Sequence, residues 1–151
     1  QVRNSEEVLQ NWNAIKSNEY AHRKSVLDGI PKHLPALYRA LKISKKAVKQ
    51  GFEWPDYEGV LDKIQEELTE LKEAKTQEEK SSELGDLFFT LVNWARWNNI
   101  DPEEALQTML KRFTERFQTM ERLATKPLTE LTFEEWDALW LEAKKLTSQK
   151  A

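Results

Sequence analysis

The chain has 151 residues, the length of one domain or of one domain with a helical extension. Four glycines and five prolines, well below the roughly 12 % of average usage, disfavour a loop-rich sandwich or a glycine-turned α/β sheet, while 39 % hydrophobic and 32 % charged residues suit amphipathic helices with long solvated faces. A net charge of −3 argues against binding of nucleic-acid polymers, and zero cysteines with two histidines exclude disulfides and thiolate chemistry and leave any metal to oxygen ligands.

Residues 5–24 open with Ser5 as a candidate N-cap before Glu6 and Glu7, and Val8, Leu9, Trp12 and Ile15 recur at helical spacing, which predicts an arm helix. Asp28-Gly29-Ile30-Pro31 reads as a turn. Pro35 suits the first turn of a helix that runs through Leu37, Leu41 and Val48 and stops at Gly51. Its Arg39, Lys42, Lys45, Lys46 and Lys49 read most simply as a solvated face, with the steering of an anionic ligand as the alternative. In Gly51-Phe52-Glu53-Trp54-Pro55 the two aromatics are expected to plug a core edge.

Helices over about 56–75 and about 78–98 follow, joined near Thr76 by a connection short enough to make them antiparallel neighbours. Asp101 caps a fifth helix, to about 124, with Pro102 at its first position and Glu103 and Glu104 in its first turn; Pro127 ends it. Thr132 with Glu135 three residues on marks the start of a last helix, about 133–147. The expected fold class is all-α, a helical bundle with no β-sheet. No apolar run approaches the ~20 residues of a membrane span, so a soluble, cytoplasmic protein is expected. The absence of an initiator Met suggests a fragment or a processed chain.

Two acidic pairs need a chemical reason. Leu61, Ile64, Leu68 and Leu71 form one stripe of the third helix, and Glu67 and Glu70 lie along its flank. The fourth helix is apolar around more than half its circumference, through Leu84, Leu87, Phe88, Leu91, Val92, Trp94 and Ala95, and is expected to be largely buried. Glu83, Asp86, Thr90 and Asn93 nevertheless recur along it at steps of 3, 4 and 3, a polar seam that carries two carboxylates inward. Ionised carboxylates away from water protonate or find a cation. Antiparallel packing lets Glu67, Glu70, Glu83 and Asp86 converge, and four hard oxygen ligands without a nearby His suit Mg²⁺ or Mn²⁺ rather than zinc or a non-haem iron triad. The plainer reading is that Glu67 and Glu70 are surface acids and that Lys63 pairs with Glu67 at i,i+4; pattern alone leaves both open.

Lys63-Ile-Gln-Glu-Glu67-Leu-Thr-Glu70-Leu, followed by Glu83-Leu-Gly-Asp86-Leu-Phe-Phe, resembles the MazG family of nucleoside triphosphate pyrophosphohydrolases. The likeness continues through Gly51–Pro55, Asn93-Trp94-Ala95-Arg96 and Arg112-Phe113-Thr114-Glu115-Arg116-Phe117, and covers roughly residues 30–145. The resemblance implies an all-α bundle with a homodimeric core, in which Glu67, Glu70, Glu83 and Asp86 match the magnesium-binding, catalytic acids. It further implies hydrolysis of a nucleoside triphosphate between its α and β phosphates, broad in base. Lys63, Arg112 and Arg116 match phosphate-contacting positions, with Arg112 standing where the family commonly has Lys. Trp140 and Lys144 are similar to a C-terminal Trp and Lys that approach the nucleotide, although Trp136 and Trp140 at i,i+4 could equally be core.

Asn93 is either a polar contact near the metals or sugar, or a hydrogen-bonded buried amide. Phe113 and Phe117 read as core or dimer contacts, and Glu66, Glu67 and Glu79 are all conceivable general bases. The second catalytic module of two-domain MazG proteins looks like this chain, so residues 1–30 are expected to be a helical arm or linker remnant and 31–151 the pyrophosphohydrolase domain. The alternatives are a related pyrophosphatase acting on dUTP, dCTP or phosphoribosyl-ATP, or a helical dimerisation module that binds nucleotide without turnover.

Overall fold

The computed structural model describes residues 5–21 and 24–148, with side chains described for 7–16 and 24–148. The described residues form α1 (Ser5–Ala21), α2 (Ala36–Val48), α3 (Tyr57–Glu73), α4 (Gln77–Trp97), α5 (Pro102–Leu123), a 3-10 turn (Leu128–Glu130) and α6 (Phe133–Ser148), and no strand. They divide into two compact units, 1–102 and 103–151. Among the described residues no helix is long and apolar enough to cross a membrane.

In the first unit, α4 packs on both α3 and α2. Pro35 precedes α2 and pre-sets its entry, and Gly51 closes it: Phe52 N–H donates to Ala47 O and Gly51 N–H to Val48 O, with Gly51 at φ 88°. That pair of bonds satisfies the last carbonyls of the helix and needs a residue tolerant of the left-handed region. Asp56 caps α3 by accepting from Gly59 N–H at 2.9 Å. At the head of α4, Glu79 N–H donates to Thr76 Oγ1 at 3.1 Å while Thr76 N–H donates to Glu79 Oε2 at 3.0 Å, a reciprocal capping box. The link between α3 and α4 is only residues 74–76, so the two helices run antiparallel. Leu41, Val60, Val92 and Ala95 form the buried centre.

The expected burial of α4 needs correction. Leu84, Phe88, Phe89 and Leu91 are exposed, Phe88 by 53 %. Two neighbouring helices cover the side that carries Thr90, Val92, Asn93 and Ala95, whereas Leu84, Phe88 and Leu91, at steps of 4 and 3, form an open stripe. Phe52 also departs from expectation: it is 82 % exposed, and Glu53 instead ties its loop down. On α1, Val8, Leu9, Trp12 and Ile15 are exposed, while the side chain of Ser5 lies outside the described residues.

In the second unit, α6 begins at the expected capping box, with Thr132 N–H donating to Glu135 Oε2 at 2.8 Å and Glu135 N–H to Thr132 Oγ1 at 3.3 Å. Lys126 pairs with the same carboxylate at 2.9 Å. An aromatic cluster joins α5 to α6: Phe113 stacks on Phe117, Phe113 meets Trp140 with centroids 5.6 Å apart, and Phe117 meets Trp136 at 6.2 Å. Met120 and Ala143 are fully buried.

Candidate metal centre

Glu67 and Glu70 stand one turn apart on α3, and the short 74–76 link brings Glu83 of α4 beside them. One carboxylate oxygen from each of the three can be chosen so that all lie within 4.8 Å of one another. The burial is uneven. Glu67 is 3 % exposed, Glu83 half-buried and Glu70 exposed. Asp86, one turn further along α4, is exposed and falls outside this trio, although its charge acts on Glu83. The seam of α4 therefore carries Thr90 and Asn93 inward but not Asp86. The carboxylate that does enter the interior is Glu67, read from the sequence as lying on a flank.

Two observations bear on a cation. Lys63 Nζ lies 2.8 Å from Glu67 Oε1 and 2.9 Å from Glu66 Oε1, and these bonds hold its ammonium well above the ordinary lysine range. Glu67 Oε2 is buried with no hydrogen-bond partner. A buried carboxylate oxygen left without a donor is costly, and two further carboxylates beside it make a cation the fitting partner. Desolvation, followed by the charges of Glu70, Asp86, Glu67 and Glu79, raises the Glu83 carboxyl above its usual value, so the cluster is short of positive charge. Three hard oxygens with no nitrogen or sulfur donor suit Mg²⁺, Mn²⁺ or Ca²⁺. Beside the cluster, a depression of about 370 Å³ is lined by Glu70, Glu73, Lys75, Glu79 and Glu83. Glu79 spends its carboxylate on the backbone N–H groups of Lys75 and Thr76, which lower its pKa; that cap is its structural role.

Further along α4, Asn93 is 3 % exposed: its Oδ1 accepts from Ser44 Oγ and its Nδ2 donates to Phe89 O at 3.1 Å. Arg96 Nε donates to Ser44 Oγ at 2.8 Å, and its guanidinium grips both oxygens of Glu53, which also accepts from Trp97 Nε1 at 3.1 Å. Burial would raise Glu53, but the bonds from Arg96, Trp97 and Trp54 N–H, with the Arg96 charge, outweigh it and lower its pKa. Sequence reasoning passed over Ser44 and Glu53. The available signal was Asn93 itself, whose buried amide requires partners.

Within the second unit, Arg116 Nε donates to Thr147 Oγ1 at 3.4 Å and the guanidinium lies 5.8 Å from the Trp140 ring centroid. Arg112 lines a cavity of about 550 Å³ together with Lys111, Glu115 and Arg122. Lys144 is exposed on α6. A second, largely apolar cavity of about 280 Å³ is bounded by Phe113, Phe117, Trp136, Asp137 and Trp140.

The family model of phosphoribosyl-ATP pyrophosphohydrolase matches residues 34–113, just over half of the chain. The chain is 46 % identical over 137 residues to a protein of Thermotoga maritima named nucleoside triphosphate pyrophosphohydrolase/pyrophosphatase MazG, an alignment covering 88 % of this chain and 54 % of that relative. It is 38 % identical over 152 residues to the nucleoside triphosphate pyrophosphohydrolase of Escherichia coli K12, covering 94 % and 58 %. It is also 40 % identical over 152 residues to the uncharacterized protein YabN of Bacillus subtilis, covering 95 % and 31 %. The chain thus spans about half the length, or less, of the curated relatives it matches.

Proposed function

From its membership of the MazG family of nucleoside triphosphate pyrophosphohydrolases, to which this chain belongs within the superfamily of phosphoribosyl-ATP pyrophosphohydrolase, we propose that it hydrolyses nucleoside triphosphates between the α and β phosphates. The products are a nucleoside monophosphate and pyrophosphate. The observation that carries this reading is the trio Glu67, Glu70 and Glu83 with the orphaned Glu67 Oε2. These three, with Asp86 as a further acidic group, are the proposed holders of Mg²⁺, for which Mn²⁺ could substitute. When bound, such a cation supplies charge neutralisation of phosphate oxygens and activation of water.

The chain's own part is binding and orientation. By family resemblance, Lys63, Arg112 and Arg116 contact the phosphates, and Trp140 and Lys144 approach the nucleotide. Arg112, a planar fork where the family commonly has a point donor, favours bidentate phosphate contact. Asn93, with both ends of its amide engaged, holds α4 against α2. Aromatic stacking accepts any base, which supports broad base tolerance and a role in clearing the cytoplasmic nucleotide pool. The exposed stripe Leu84, Phe88 and Leu91 supports a homodimer with α4 at its interface.

The name of the matching family model favours one second reading, phosphoribosyl-ATP as substrate. Two of the relatives it is similar to carry the name nucleoside triphosphate pyrophosphohydrolase, which supports the triphosphates as the first reading.

Pyrophosphate release from a panel of ribo- and deoxyribonucleoside triphosphates and phosphoribosyl-ATP, with Mg²⁺ and with chelator, tests both. We expect metal-dependent monophosphate and pyrophosphate from several triphosphates. Glu67→Gln should lower turnover on the order of 100-fold or more while leaving the helical circular dichroism unchanged. Turnover of phosphoribosyl-ATP alone would select the second reading. Binding without pyrophosphate release would leave a nucleotide-binding module.

A further inference from the structure

Lys63 precedes Glu67 by one helical turn on α3, and its ammonium sits 2.8 Å from Glu67 Oε1 and 2.9 Å from Glu66 Oε1. Glu67 is 3 % exposed, and its other oxygen, Oε2, is buried and accepts no hydrogen bond. The two oxygens of one carboxylate are therefore unequal. Oε1 is neutralised by an ammonium, whereas Oε2 is left without a donor on a carboxylate that clusters with Glu70 and Glu83. A carboxylate without that tether can rotate about its last bond and present both oxygens, one oxygen or its edge. Bonds from an outer group to a metal-ligating side chain commonly remove such freedom.

We propose that Lys63 is a positioning residue of the metal centre, holding Glu67 by Oε1 so that Oε2 alone is offered to a divalent cation shared with Glu70 and Glu83. Glu66, exposed and paired to the same ammonium, is the second anchor that keeps Lys63 in place. Two effects of Lys63 oppose each other. Its charge repels an incoming cation, while its bond fixes the ligand. Because the ammonium is already shared between two carboxylates, its repulsion is largely compensated and the orienting effect dominates. The proposal rests on reading the trio as a metal site, and it is independent of whether nucleotides are turned over.

The test is Mn²⁺ binding to the substrate-free full chain, followed by electron paramagnetic resonance of the free ion. Lys63→Met is expected to weaken binding about tenfold, within the range typical for loss of an outer-shell partner, and Lys63→Arg to restore most of the loss. In a Glu67→Gln background, whose neutral amide needs no countercharge, Lys63→Met should change Mn²⁺ affinity by less than about twofold, because Lys63 acts through Glu67. Unchanged or tighter binding by Lys63→Met overturns the proposal, as does an equal loss in the Glu67→Gln background. Absence of Mn²⁺ binding to the unsubstituted chain would overturn the metal reading itself and this proposal with it. Mn²⁺ binding that ignores Lys63 would overturn only the positioning role.

Discussion

Glu53 is one of the most heavily bonded carboxylates in the described residues, accepting from the Arg96 guanidinium, Trp97 Nε1 and Trp54 N–H. These bonds lower its pKa despite partial burial, and the sign of the pH effect follows. A carboxylate with a lowered folded-state pKa contributes stability that is complete above its ordinary value and is lost as pH falls through the lowered one. Glu53→Gln should therefore cost about 1–3 kcal/mol near neutral pH. Its penalty should shrink as the medium is acidified from about pH 5 to about pH 3, read as converging thermal melting curves. Parallel curves would mean that Glu53 is not the group that titrates. None of this was legible in the sequence, because Arg96 lies far along the chain from Glu53 and Ser44 and only tertiary packing makes them partners. The acids of the site were partly legible. Helical spacing put Glu67 and Glu70 on one side of α3, but period alone could not rank their burial, and it set the buried member on a flank.

Helix ends show the opposite balance between sequence and structure. The starts of α5 at Pro102 and α6 at Phe133, and the break after Glu73, were readable because caps and turns are short-range chemistry confined to a few neighbouring residues. The box at Thr76 and Glu79 is of the same kind, and it sets the head of the helix that carries Glu83. Thr76→Ala should cost about 1 kcal/mol, measured by urea unfolding, with Thr76→Ser close to the unsubstituted chain. A Thr76→Ala variant as stable as the original would remove the box from the account of how α4 begins. What the pattern of α4 could not reveal is how many neighbours it has. An apolar circumference announces that something covers it, whereas within the first unit α3 and α2 cover one side of α4.

At the scale of the whole molecule, the uncovered stripe of Leu84, Phe88 and Leu91 is where a second copy is expected to pack. Sedimentation equilibrium should find a dimer, and Phe88→Glu, which places a charge in that stripe, should shift it to monomer at micromolar concentration without loss of helical signal. A monomeric unsubstituted chain, or a Phe88→Glu variant that stays dimeric, would count against this interface. The three clustered carboxylates come from a single helical hairpin closed by residues 74–76. So short a closure costs little chain entropy, and contacts between near neighbours in sequence form early during folding. Mutual repulsion among Glu67, Glu70 and Glu83 is then felt while the chain is still assembling. Whatever neutralises these charges is then expected to act more on how fast the protein folds than on how slowly it comes apart.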